Sequence, residues 1–256
     1  PEDVERARLH QGHPGARGGG SQRALKTEKI FLYIVPAIVF LLPTALRSVP
    51  QTPYVGRIEE HERLRASSRE VRDGSRRVVL LSGEPGIGKT RLAAHAALEA
   101  HDDGFAVCWG AAAEYLSAPY GPWIQALSHY VEHGPEAVLA AHVDRHGGEI
   151  ARLLRGSLDK RMAGVPMPQQ ADPETDQYLM FEAVVGLLQA ASEYSPVVLV
   201  IDDLHWADIQ TLSLLEHVAA GTGNAPLLVL GTYRDSDLDR GHPLRGVLAD
   251  LQRLDG

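Results

Sequence analysis

A chain of 256 residues that is 44% hydrophobic and 23% charged is ordinary for a soluble globular protein, with room for one substantial core and some extra segments. Its net charge of −8 excludes broad electrostatic capture of nucleic acid. A single cysteine, Cys108, excludes an internal disulfide and fits a reducing, cytoplasmic compartment.

Residues 1–29 are rich in Gly, Arg and His and have the composition of a disordered, low-complexity segment. The run IFLYIVPAIVFLLPTAL, residues 30–46, is uncharged between Lys29 and Arg47. It is at the lower edge of the length needed to span a bilayer, and Pro36 and Pro43 interrupt it. A linker or docking segment is the first expectation for residues 30–51, and a membrane span by residues 30–46, anchoring the chain at the cytoplasmic face, is the alternative. The remaining stretch, residues 52–256, reads as one domain.

Within that domain, residues 58–71 predict a surface helix and 78–81 a short buried strand. Residues 91–100 predict an alanine-rich helix, and 105–109 a strand that buries Cys108 as an inert thiol. A helix over 122–133 begins with proline in its first turn. Residues 156–175 carry loop signals, and 176–194 a helical apolar stripe. A strand at 197–201, a helix at 209–220 capped by Asp208, a strand at 227–231 and a helix at 243–254 complete the pattern. Buried strands alternating with helices predict an α/β fold, a mainly parallel sheet with helices on both faces.

The segment Gly83-Glu84-Pro85-Gly86-Ile87-Gly88-Lys89-Thr90 matches G-x-x-x-x-G-K-[ST] and lies between a strand and a helix, the context such a loop needs. Glycines let the backbone curl so that its N–H groups face inward on a phosphate, and the helix that follows through Arg91 points its positive end the same way. Lys89 supplies a mobile charge for the β- and γ-phosphates, and the Thr90 hydroxyl can ligate Mg²⁺. The bound cofactors expected are therefore ATP or ADP with Mg²⁺.

A second feature bears on the same ion. The apolar run Val197–Ile201 ends on two adjacent carboxylates, Asp202 and Asp203. Asp202 is the candidate to complete the Mg²⁺ shell, and Asp203 the candidate to orient or polarise an attacking water.

Together GEPGIGKTRLA, VVLVIDDLHWAD and LLVLGTYRDSDL, with HPL a few residues on, resemble the P-loop ATPase domain of STAND-class signal-transduction NTPases, an AAA-like group. More narrowly they resemble the ATPase of large LuxR-type (MalT-like) transcriptional regulators and of relatives that carry nucleotide-cyclase or protein-kinase modules. TPYVGRIEEHERL, residues 52–64, resembles the opening motif of that group, with Ile58 where an acid and His61 where an apolar residue is expected. PYGPW, residues 119–123, matches a further stretch.

The resemblance implies a regulatory ATPase with slow hydrolysis, or a non-hydrolysing nucleotide-binding scaffold. It gives Arg234 a sensor position at the end of a strand beside the one carrying Asp202, and it implies nucleotide-dependent self-association. It also implies a last strand, a lid and a DNA-binding or other output module beyond these residues; DNA contact would come only through such a module. The pairs His129/His133 and His142/His146 have helical zinc-ligand spacing, but neither carries the Glu of H-E-x-x-H and no third ligand stands out.

Overall fold

The computed structural model describes residues 40–47, 56–115, 118–221 and 225–254. The low-complexity segment, the apolar run up to Val39 and residues 52–55 of the opening motif lie outside the described residues. No helix among the described residues is long and apolar enough to cross a membrane.

Four strands, β1 (Arg76–Leu81), β2 (Ala106–Ala111), β3 (Val197–Asp202) and β4 (Leu227–Thr232), form one parallel sheet in the order β1-β4-β3-β2. Around it lie a short α1 (Thr44–Arg47), then α2 (Ile58–Arg72), α3 (Lys89–Asp102), α4 (Gly121–His133), α5 (Glu136–Arg161), α6 (Pro173–Tyr194), α7 (Ile209–Ala220) and α8 (Leu244–Leu254). β3, buried at every position, is a central strand, and β4 stands between it and β1.

The two-residue period of a strand splits the core in two. Cys108, Val197, Leu199, Ile201, Leu227 and Val229 join the cluster built with α4 to α8. Val107, Trp109, Val198, Val200, Leu228 and Leu230 face the other way, toward α2 and α3. The same parity carries Asp202 and Thr232, the last residues of β3 and β4, to the α3 side. That is why the carboxylate meets the start of α3.

Close approaches fix the helices. A Cβ on Gly110 would lie 1.9 Å from the Pro122 carbonyl oxygen, so only glycine lets the first turn of α4 lie against β2. Trp123, fully buried in that turn, donates through its ring N–H to the Thr211 carbonyl of α7 at 3.1 Å. The Asp208 side chain accepts from the Thr211 N–H at 2.8 Å and caps α7, as its sequence predicts.

The expected loop over 156–175 is shorter than its composition suggests. α5 continues through Gly156 to Arg161, and α6 already starts at Pro173, capped by Asp172 on the Thr175 N–H. α5 carries non-helical backbone at His146, next to Gly147-Gly148. Side chains at those two glycines would collide with Pro166 and Met167 of the connecting segment, which folds back on the bend.

The end of the apolar run is docked through every third residue, Phe40, Pro43 and Leu46, while Leu41 is exposed. Phe40 stacks on Tyr130, its carbonyl accepts from His101 at 2.6 Å, and Leu46 is buried against the α2–α3 cluster.

Candidate nucleotide-binding site

The loop between β1 and α3 has the backbone its glycines predict. Gly83, Gly86 and Gly88 all have positive φ (145°, 74° and 92°), where side chains are strained, and open space surrounds the Cβ positions of Gly86 and Gly88. No side chain caps α3, which begins at Lys89 directly after Gly88. An uncapped helix start behind an open, glycine-lined loop is a place where a phosphate can meet backbone N–H groups. Lys89, largely buried, folds back so that Nζ donates to the Gly83 carbonyl (2.7 Å) and the Glu84 carbonyl (3.0 Å). Pro85 and Ile87 are both exposed on the loop, Ile87 at 47%.

Next to this loop stands a polar cluster inside an apolar sheet. Asp202 Oδ1 accepts from the Thr90 hydroxyl (3.1 Å) and from the Thr232 hydroxyl (2.6 Å). The Thr232 oxygen in turn accepts from the Asp203 N–H at 2.9 Å. Burial raises the Asp202 carboxyl above the ordinary aspartate value; the Thr232 and Thr90 hydrogen bonds oppose the rise and the neighbouring Asp203 adds to it. Asp203 is also raised, again mainly by burial, with Arg234 and Lys89 pulling it down. Two adjacent acids held above their usual range beside a lysine form a setting in which a cation would be stabilising.

Asp203 adopts left-handed backbone (φ 58°), which turns its side chain away from the strand direction and breaks the alternation that places Asp202. Aspartate tolerates this conformation better than most residues. The residues therefore fit a nucleotide phosphate and a magnesium ion. Thr90 and Asp202 are the side chains that could hold the ion, and the loop from Gly83 to Arg91, through Lys89, could hold the phosphates.

A model of the AAA ATPase domain matches residues 53–230. The chain belongs to this family. An AAA ATPase domain is a nucleotide-binding module, and ATP is the ligand its family implies. No curated protein matches the chain. Among solved structures, C. elegans PCH-2 is similar over 81% of this chain and 45% of its own, at 16% identity and a TM-score of 0.39. Drosophila ORC bound to GC-rich DNA and Cdc6 is similar over 79% of this chain and 60% of its own, at 14% identity and a TM-score of 0.33. The chain thus spans roughly half the length of the solved chains it resembles.

In this AAA domain the residue that reaches Asp202 from β4 is Thr232, which is fully buried and which motif reading passed over in favour of Arg234. The sequence shows only that Thr232 shares the parity of Leu228 and Leu230; the strand pairing places it one step past the Ile201–Gly231 pair, level with Asp202. Arg234 lies two residues beyond the strand. Its guanidinium sits over the Trp206 ring at 4.8 Å and 3.5 Å from Asp237, and its charge is felt at Asp203.

Of the His-Trp pair of the motif, Trp206 supports that arginine, and the His205 ring packs against Trp206 at 4.6 Å between centroids. The His205 side chain has no exposed surface, and burial, reinforced by Arg234, holds its pKa down to about 4, so it is neutral near pH 7. His242, of the downstream HPL, donates through Nε2 to the His205 carbonyl (3.0 Å) and accepts from the Leu244 N–H at Nδ1 (3.2 Å). The start of α8 is thereby joined to the turn after β3. Cys108 is fully buried, and its thiol is pushed up to about 12, in keeping with an inert packing role.

Proposed function

We propose that this AAA domain is an ATP- and Mg²⁺-dependent regulatory switch that hydrolyses ATP slowly, as part of a STAND-class signalling or transcriptional regulator. The observation that carries the reading is the convergence of Thr90, Asp202, Thr232 and Asp203 at the mouth of the glycine loop. The sequence resemblance supplies the regulatory class.

In this reading Lys89 leaves the Gly83 and Glu84 carbonyls for the β- and γ-phosphates, exchanging two neutral acceptors for charged ones. Thr90 and Asp202 hold the ion, while Thr232 keeps Asp202 in place. Bound magnesium would neutralise charge on the phosphate oxygens. Asp203 orients the attacking water, its pKa raised toward the range in which a carboxylate can take up a proton. Arg234, braced by Trp206 and Asp237, reads the γ-phosphate and passes its presence to the loop before α8. A switch requires the γ-phosphate to favour one conformation over the other, and in this reading Arg234 supplies that difference. DNA contact, if the whole protein makes it, is assigned to a module outside these residues, in keeping with the net charge of −8. Nucleotide-dependent self-association belongs to the same proposal.

Single-turnover ATP hydrolysis in the intact chain tests it. Asp203→Asn should retain ATP affinity and lower the hydrolysis rate by about 100-fold or more, the range expected for a lost general base. Lys89→Ala should weaken ATP binding by about 100-fold, the loss of a charge-assisted contact. Undiminished hydrolysis in Asp203→Asn removes that residue from the mechanism. Unchanged affinity in Lys89→Ala refutes the site itself.

A further inference from the structure

A second cluster of metal-binding side chains lies away from the nucleotide loop, where α2 crosses α3. His61 of α2 and His95 and Glu99 of α3 each bring one ligand atom into a group whose members lie within 4.8 Å of one another. His61 Nε2 is 2.8 Å from Glu99 Oε2, and His95 Nδ1 is 3.7 Å from Glu99 Oε1. The two imidazoles meet edge to face at 5.1 Å between centroids. All three side chains are partly buried, with exposures of 18%, 33% and 27% for His61, His95 and Glu99.

We propose that His61, His95 and Glu99 form a site for a zinc-class divalent ion, with two imidazole nitrogens and one carboxylate oxygen as protein ligands and water completing the shell. A tetrahedral zinc site with bonds near 2.0–2.1 Å spaces its ligand atoms about 3.3 Å apart; here one ligand atom from each residue lies within 4.8 Å of the others, and the two imidazoles approach different oxygens of the Glu99 carboxylate. Binding draws the three side chains together around the ion and takes Arg65 off the Glu99 carboxylate. His95 and Glu99 are one helical turn apart, and His61 comes from a different element, so a bound ion ties α2 to α3.

A plain ion-pair staple accounts for less of the arrangement. Arg65 already satisfies the Glu99 carboxylate, donating to both oxygens at 2.9 and 3.2 Å. Two further imidazoles around a paired carboxylate add little to a staple, but they complete a His₂Glu donor set. Arg65 can give way: its side chain is 52% exposed, and Glu62 on its own helix lies 3.8 Å from it. When the ion binds, it replaces the proton that His61 Nε2 now shares with Glu99.

The consequence is a clamp on the helix that follows the phosphate loop, set by metal and not by nucleotide. The proposal does not depend on the ATPase reading, and its test uses nucleotide-free protein. The chain, stripped with chelator, is titrated with Zn²⁺ by calorimetry and with Co²⁺ by visible absorption. One Zn²⁺ per chain should bind at micromolar or lower concentration, and Co²⁺ should give the visible band of a four-coordinate site. His61→Ala and His95→Ala should each weaken binding by at least about 10-fold. Arg65→Ala should tighten it, an effect opposite to what loss of a staple would cause. A double variant, His129→Ala with His142→Ala, should leave it unchanged. Three results overturn the proposal: no binding at micromolar Zn²⁺, binding that survives both His61→Ala and His95→Ala, or binding lost in the double variant.

Discussion

Helix α3 meets one face of the sheet through Leu92 and five alanines, Ala93, Ala94, Ala96, Ala97 and Ala100, whereas the opposite face is filled by Trp123, Leu127, Ile150, Leu154, Leu187 and their neighbours. Alanines bury little area but let a helix axis lie close to a sheet, which fixes where its first turn points. Large side chains bury much area and tolerate more ways of packing. The first face places Thr90 against Asp202, and the second supplies most of the apolar burial. Position and stability are thus set largely by different sides of the same four strands.

The contrast can be broken from the bulky side first. Trp123→Ala should cost about 3–5 kcal/mol in urea unfolding, from lost burial, a cavity and the lost hydrogen bond to the Thr211 carbonyl. ATP affinity of the remaining folded protein should stay within about twofold of the parent. A loss of affinity as large as the loss of stability would show that the two faces are not separable.

The alanine side is probed by adding volume. Ala97→Leu, at a fully buried position, should cost about 1–3 kcal/mol by overpacking. Because it lifts α3 away from the sheet, it should also weaken Mg²⁺-dependent nucleotide binding, which calorimetry would read. Unchanged binding would mean the loop is positioned by something other than α3.

The smallest expected effect has the opposite sign. Asp202 has a folded-state pKa above its unfolded value, so its charge destabilises the nucleotide-free fold at neutral pH. Protonated in both states at low pH, it carries no such penalty. The penalty grows as pH rises through the ordinary aspartate range to the folded value. Asp202→Asn should therefore stabilise the nucleotide-free protein slightly at pH 7, by less than about 1 kcal/mol because a charge-assisted acceptor is also lost. The gain should fade as pH drops toward 4, while Mg²⁺-dependent ATP binding is lost at pH 7. A destabilised variant at pH 7 would show that the Thr90 and Thr232 hydrogen bonds outweigh the burial.

The α/β fold and the phosphate loop were legible because both depend on local signals: strand-length apolar runs, helix caps such as Asp208, and glycines at fixed offsets before Lys89. Asp202 was legible for the same reason, as a charge at the end of a fully apolar run. Thr232 was not, because its role arises only when β4 is inserted between β1 and β3, and strand order has no local signature. The full length of α5 was hidden by glycines and prolines, which mark loops in isolation. Here Gly147 and Gly148 serve close packing inside a bent helix. His61 appeared only as a departure from the expected motif. Its partners lie 34 and 38 residues further along the chain, on another helix, beyond the reach of spacing rules.

The hydroxyl of Thr232 has one proton and two neighbours, and the neighbours decide where that proton goes. The Asp203 N–H can only donate, so the Thr232 oxygen must receive it, and its own hydrogen is directed to Asp202. Polarity therefore runs one way, from backbone to hydroxyl to carboxylate. Asp202 Oδ1 has two donors, and the Thr90 hydroxyl can turn away without leaving it unheld. The end of β3 can keep its shape when the Thr90 hydroxyl turns away, because the Thr232 hydroxyl by itself keeps Asp202 aligned.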